Sequence, residues 1–276
     1  MGKPKQIHSC LVVMKNKSRK VISKSKNCLQ VLEPVFQERN INYELIKRTE
    51  IKNIEIDKWD LIVTLGGDKT FLRVANFLPE GSTILGVHTN SNSETYLLAT
   101  STSNVKDILF QIFDGELQPI SLPRIKVRGR PFLALMDLYF GRNHGWRTAK
   151  YAILLEDESW EHQQSSGVIV TTGMGCTGGY GSISGGVFFS PLKPELRYII
   201  WAPYLVGKLT TVTKTRGKIG KNNSLKIKNL VEKGMILSFD SNFEVSVELE
   251  EVIEITLEPS SLNVYNPLFY QPEGRI

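Results

Sequence analysis

The chain has 276 residues, enough for one large domain or two modest ones, and needs no disulfide or metal to support its core. It is 41% hydrophobic and 22% charged, which excludes a disordered chain, and no apolar run approaches the roughly 20 residues of a bilayer span. Its net charge of +6 is local: residues 1–32 hold Lys3, Lys5, Lys15, Lys17, Arg19, Lys20, Lys24 and Lys26 and no acid, leaving 26 basic and 28 acidic residues after them. An anionic partner near that end is the first expectation.

In chain order, Ser9–Met14 is a short apolar run with β-branched residues and reads as a buried strand. It is too short, and lacks the cleavage site, for a signal peptide. The basic head favours Lys over Arg seven to one, which argues against a transit peptide. Position 6 is Gln, so the myristoylation pattern fails. A helix follows over Asn27–Asn40, with Leu29, Leu32, Val35 and Phe36 at helical spacing; Pro34 marks its start or a kink. Ile41–Ile46, Asp60–Leu65 and Thr83–Val87 read as strands, and Thr70–Leu78 and Asn104–Gly115 as helices. This alternation predicts an open, mostly parallel α/β sheet over residues 1–117.

The texture changes near residue 118. Short alternating runs follow at Ile125–Val127, Leu133–Phe140, Lys150–Leu155, Gly167–Thr171, Leu196–Ala202, Ser224–Ile227, Met235–Phe239, Phe243–Leu249 and Val252–Leu257. They predict a β-rich, sandwich-like domain over 118–260, with 261–276 returning to the first domain. Cys10, Cys28 and Cys176 are too few and scattered for a disulfide framework or zinc site, and no HExxH occurs, so no metal site is expected. A reducing, cytoplasmic compartment fits this usage.

Two glycine clusters carry the chemistry. The first, Gly66-Gly67-Asp68-Lys69-Thr70, joins a strand to a helix, where bare backbone N–H groups and the helix dipole favour an anion. Asp68 repels phosphate there, which points to a proton acceptor or a metal-bridged phosphate; an N-cap is the competing reading. The second, residues 167–186, packs eight glycines into 20 residues and contains Gly173-Met174-Gly175-Cys176-Thr177-Gly178. As a dinucleotide fingerprint this GxGxxG is weak, because Gly178, Gly179 and Gly181 make a poor helix start. Its glycine density points to a backbone wrapped closely around a ligand.

Together, and in this order, the clusters resemble the NAD kinase family. That family is marked by GGDGT and by a loop written TPTGSTAY, or STGxGSTGW in its mitochondrial-type branch, to which Thr172–Gly178 is the more similar. Gly86-Val87-His88 resembles the family's G-[IV]-N segment. Met136-Asp137 stands where an Asn-Glu pair holds the nicotinamide ribose, and Asp240-Ser241-Asn242 resembles a late D-[GS]-Q signature. The resemblance spans residues 10–260 and implies ATP- and Mg²⁺-dependent phosphorylation of the adenosine 2′-hydroxyl of NAD, giving NADP. It implies that Asp68 is catalytic, accepting the hydroxyl proton or helping to hold Mg²⁺. Gly66, Gly67, Lys69 and Thr70, with Thr172, Gly173, Gly175, Cys176, Thr177 and Gly178, would bind phosphates and adenosine. His88, Asp137, Asp240 and Asn242 complete the nucleotide site, with Lys15 and its basic neighbours to Lys20 near the polyphosphate. The implied partners are nucleotides and a second copy in a homodimer or larger oligomer, with neither nucleic acid nor membrane.

The motifs depart from the family at Lys69 (for Gly), His88 and Met136 (for Asn), Asp137 (for Glu), Cys176 (for Ser) and Gly179 (for an aromatic, which Tyr180 would supply one position late). These keep two alternatives in view. One is a catalytically degenerate NAD kinase fold that binds nucleotide or acts as a scaffold. The other is a diacylglycerol- or lipid-kinase-type enzyme, which shares GGDGT and the two-domain plan.

Overall fold

A computed structural model describes residues 6–15, 19–90, 95, 97–145, 147–156, 159–205 and 212–266. The chain divides into two compact units, residues 1–121 with 261–276, and residues 122–260.

In the first unit the elements are β1 (Ser9–Met14), α1 (Arg19–Glu38), β2 (Asn42–Lys47), β3 (Leu61–Gly66), α2 (Asp68–Ala75), β4 (Ser82–His88), β5 (Thr100–Ser101) and α3 (Val105–Phe113). Strands β2, β1, β3 and β4 pair in that order and all run parallel. β5 adds a short parallel rung to β4. Parallel strands are covered on both faces, so they read as unbroken apolar runs rather than alternating ones. β3 is buried along its whole length, and β1 along its four central residues. α1 lays Cys28, Leu32, Val35 and Phe36 on the core, and Phe36 meets Phe113 of α3 at 6.4 Å between ring centroids.

α1 starts eight residues before the predicted helix and runs through Pro34. Ser25, buried on this helix, is a small polar residue that hides the apolar period from the sequence. Arg19 and Lys20 therefore begin a helix instead of lying on the loop predicted for them, and Lys17 lies outside the described residues.

The second unit contains β6 (Ile120–Val127), β7 (Leu133–Ala134), β8 (Asp137–Arg142), β9 (Ala149–Leu155), β10 (Glu161–Ser165), β11 (Gly167–Thr171), α4 (Gly179–Ser184), β12 (Leu196–Trp201), β13 (Arg216–Ile219), β14 (Ser224–Asn229), β15 (Met235–Phe239), β16 (Phe243–Ser246) and β17 (Val252–Tyr265). One sheet orders them β10-β9-β14-β17, with β6 on β17 and β7 on β6. The other is antiparallel, in the order β13-β12-β11-β8-β15-β16. Their inner faces share one core, in which Phe140 of β8 meets Tyr151 of β9 edge-on at 5.6 Å. Along β14 buried and half-buried residues alternate, the period-2 signature of a sheet with one face inward. The expected plan, an open α/β sheet followed by a β-rich sandwich, is the observed one. β17 leaves the second unit at Ser260, and its last residues, Leu262–Tyr265, pair parallel with β4 in the first.

Further features depart from the sequence reading. β10 is absent from it because its inward face is polar: Glu161, Gln163 and Ser165 are buried, and Ser165 bonds the Tyr151 hydroxyl at 2.7 Å. Residues 179–184 form a helix despite their glycines. Gly181 is needed there, since a Cβ would stand 2.4 Å from the Cys176 carbonyl oxygen. The single strand predicted over Leu133–Phe140 is two strands, broken at Leu135 and Met136.

Gly86 of β4 carries a direct packing constraint: a Cβ would fall 2.2 Å from Leu98 Cδ2 and 2.8 Å from Phe71 Cδ2. Gly86→Ala therefore overpacks the first unit, at a cost of about 1–3 kcal/mol. Thermal denaturation of the variant should show a melting temperature several degrees below that of the parent.

Candidate functional site

At the carboxyl edge of the first unit, β3 delivers Gly66 and Gly67 to the start of α2. Gly66 has no room for a side chain, because a Cβ would sit 2.5 Å from Thr70 Oγ1, whose own side chain is buried. A Cβ at Gly67 would meet nothing within 4 Å, so the backbone there borders open space. Gly67 is the N-cap of α2, with no side-chain cap, and Asp68 is the first helical residue. The capping reading of Asp68 is thus replaced. Its carboxylate reaches away from its own helix, accepting from the Thr95 hydroxyl and, at 3.4 Å, from the Leu97 N–H. Thr95 also takes the Leu98 N–H at 3.2 Å, which fixes it. Nothing local marks Thr95 in the sequence, since its link to Asp68 spans 27 residues.

Around this edge the strand ends bring cations and donors together. Lys69 is exposed on the first turn of α2. His88, buried at the end of β4, lies opposite Gly66 in register, and the Thr89 N–H donates to the Gly66 carbonyl at 3.0 Å. Lys15 follows β1 and is half-buried. Lys24 of α1 donates to Asn90 Oδ1, just past β4. Arg48, missed in the sequence, follows β2 with its N–H on Met14 O at 2.9 Å. Its Nε is buried without a partner among the described residues. Burial, then the like charge of Arg73, hold its guanidinium below the ordinary arginine range. Open parallel sheets bind ligands at this carboxyl edge.

In the second unit the Gly/Thr loop leaves β11 and folds back on the β7–β8 turn. The Thr171 hydroxyl donates to Met136 O at 3.1 Å, and that of Thr172 to Leu135 O at 2.6 Å. Thr172 is fully buried and takes the Met174 N–H, so its hydroxyl serves the loop itself. Cys176 is likewise buried, its thiol on Gly173 O at 3.0 Å. A Cβ at Gly173 would strike Ser190 O at 2.2 Å, and one at Gly175 would strike Met136 O at 2.4 Å and Asp137 Oδ1 at 2.5 Å. At Gly178 the nearest atom is Asp137 Oδ2, at 3.2 Å. The glycines are therefore the seat of Asp137. Thr177 is exposed. The Tyr180 ring is buried among Ile169, Cys176, Phe189 and Ile199, so it supplies no exposed aromatic to the loop.

Asp137 opens β8 with Oδ1 buried and without a hydrogen-bond partner among the described residues. Burial pushes its carboxyl up to about 7; the Thr171 hydroxyl beside it works against this and the charge of Asp240 adds to it. Asp240 is buried, and its carboxylate accepts from three consecutive backbone N–H groups, those of Leu135, Met136 and Asp137, each at 2.8 Å. Asn242 is half-buried and its Nδ2 has no partner among the described residues. An acceptor and a donor without partners are what a polar ligand with hydroxyl groups would satisfy.

The raised carboxyl has a consequence for stability. Asp137 holds its proton to about pH 7 in the folded protein but only to about pH 3.9 when unfolded. The folded state binds more protons between those values, so this group costs stability as pH rises through the window. Asp137→Asn removes the titration. Urea denaturation should show the variant gaining on the parent from pH 5 to pH 8.

No protein-family model matches the chain. Among curated proteins, a probable NADH kinase of Oryza sativa subsp. japonica is 24% identical over 268 residues, covering 88% of this chain and 81% of that protein. An NAD kinase of Caldicellulosiruptor bescii is 22% identical over 244 residues, 87% of this chain and 88% of that one. Among solved structures, the ATP complex of an Archaeoglobus fulgidus NAD kinase has a TM-score of 0.69 at 20% identity, covering 93% of each chain. Yeast NADH kinase complexed with NADH has a TM-score of 0.73 at 14% identity, covering 99% of this chain and 91% of that one. The chain has the fold of the NAD kinases, and along most of its length its sequence is related to the NAD and NADH kinases.

Proposed function

We propose that the protein is an NAD kinase, transferring the γ-phosphoryl group of ATP to the adenosine 2′-hydroxyl of NAD or NADH to give NADP or NADPH. The observation that carries this reading is Asp68: a carboxylate at a bare glycine edge, turned off its own helix and held by Thr95 and Leu97. Phosphoryl transfer asks the protein for positioning and charge neutralisation more than for covalent chemistry. Asp68 takes the proton as the 2′-oxygen bonds to phosphorus and the bond to the leaving ADP oxygen breaks. The N–H groups at the start of α2 and the cation of Lys69 face the phosphates. Among the described residues no three His, Cys, Asp or Glu side chains cluster. Mg²⁺ would therefore come with the nucleotide phosphates, with Asp68 as its protein carboxylate, and would neutralise charge on the transferred group.

In the second unit Asp137 has a buried oxygen, unpartnered among the described residues, that a ribose hydroxyl would satisfy, and Thr177 is exposed on the Gly/Thr loop. Met136 meets the loop through its carbonyl and donates its N–H to Asp240, so the loss of an amide side chain there leaves both backbone contacts in place. No helix of the described residues is long and apolar enough to cross a membrane. The three cysteines are free and buried, which supports work in a reducing compartment such as the cytoplasm. A homodimer or larger assembly belongs to the same proposal, and light scattering checks it.

Purified protein with ATP, Mg²⁺ and NAD or NADH should yield NADP or NADPH, read by an NADP-specific dehydrogenase. Failure to form either product refutes the proposal. Asp68→Asn should lower kcat by about 10²–10⁴-fold, the range of a general base. Lys69→Ala should raise the KM for ATP about 10-fold, close to 1.4 kcal/mol, with kcat for saturating ATP little changed.

A further inference from the structure

The Asp240-Ser241 corner has an unusual backbone. β15 and β16 are joined through Asp240, Ser241 and Asn242, and the Asn242 N–H returns to Phe239 O at 2.9 Å. Asp240 and Ser241 have φ of +49° and +53°, the pattern of a type I′ turn. Such turns favour Asn-Gly, because an L side chain in the left-handed region is strained. Here neither position is glycine, and Asp stands first. Asp tolerates the first position, so the conformational cost falls on Ser241, and keeping such a corner calls for a compensating role.

The hydrogen bonds supply one. Asp240 Oδ2 takes the Leu135 N–H, and Oδ1 takes those of Met136 and Asp137. The Asp240 N–H in turn donates to Asp137 O at 2.8 Å. No apolar side chain could hold three adjacent amides, and Asn could not accept equally on both sides, since one of its terminal atoms is a donor. Both carboxylate oxygens are thus committed to the backbone that carries Asp137, where Gly175 and Gly178 leave room for the Asp137 carboxylate.

We infer that Asp240 is a positioning residue. It acts on the nucleotide through the three amides that aim the Asp137 carboxylate at a ribose hydroxyl. This rests on the NAD kinase reading for its substrate and goes beyond it in replacing direct contact at Asp240 by orientation. The groups packed against Asp137 are the Thr171 hydroxyl of β11, the glycines of the loop and Asp240 itself, so Asp240 is the charge that bears on its ionisation.

The test separates geometry from charge. In the parent the KM for NAD should rise as pH falls through the Asp137 titration near 7, because the ionised carboxylate is the better acceptor. Asp240→Asn should raise the KM for NAD about 10-fold or more, leave kcat at saturating NAD within about threefold, and move that inflection to lower pH. Asp240→Glu keeps the charge but misplaces it; the KM should rise with the inflection still near 7. Glu161→Gln, which disturbs a cap on Thr213 and Lys214 elsewhere in the same unit, should move neither. An unchanged KM and inflection in Asp240→Asn, or a loss confined to kcat, overturns the inference. Carbon-13 titration of the Asp137 carboxyl reads the same shift without turnover. A protein that fails to phosphorylate NAD yet shows the shift retains the clamp and loses the kinase reading. If Asp240→Asn does not fold, the Asp240→Glu profile decides, a KM equal to the parent's being the refuting result.

Discussion

Three backbone N–H groups converge on one buried carboxylate, and much of the second unit is arranged around that contact. Asp240 draws in the amides of Leu135, Met136 and Asp137, at the point where the chain passes from β7 to β8. The apolar run of Leu133–Phe140 is interrupted where a sheet alone would have kept it whole. Charge-assisted bonds to a carboxylate are about twice as strong as neutral ones, which offsets the left-handed corner at Asp240 and Ser241. The break leaves Met136 O and Asp137 facing the Gly/Thr loop, and the loop in turn needs glycine at 175, where any Cβ would collide with both. Gly175 and Gly178 make room for the Asp137 carboxylate, while Gly173 and Gly181 clear backbone carbonyls and Gly185 and Gly186 take left-handed turns.

The first unit solves a different problem. Its central parallel strands, β1 and β3, are buried, and the strand ends must stay open at one edge. Gly66 lets Thr70 fold back against the strand end, and Gly67 leaves the backbone bare beside it. Asp68, freed from capping, is restrained by a loop residue that follows β4. The cations that composition crowded at the N-terminus divide here. Lys15 remains at the strand end and Lys24 reaches Asn90, while Arg19 and Lys20 enter a helix. Arg48, contributed by the chain after β2, joins that edge although nothing in the charge pattern singled it out.

Elements built on contiguous apolar residues were legible in the sequence. β1, β11 and β15 have the boundaries their runs predict, because strand periodicity is local and burial follows it. The misses share a cause. β10 buries polar groups that satisfy one another, so its inward face carries no apolar signal. α1 hides its first turns behind a buried serine, and α4 is glycine-rich because it packs tightly on the preceding loop. Asp68 and the Gly/Thr loop could be found by motif. Thr95 could not, since a lone threonine in a polar stretch has no pattern.

What the sequence determined by itself was the sheet-then-sandwich plan and the two glycine clusters, since apolar period and glycine spacing are both properties of neighbouring residues. What only the tertiary structure decided was which polar groups meet: Asp240 with amides 103 to 105 residues away, Thr95 with Asp68, and Asp137 left with a buried oxygen that has no partner among the described residues. Such contacts join positions far apart in the chain, and a hydrogen bond leaves no trace in the local sequence of either partner.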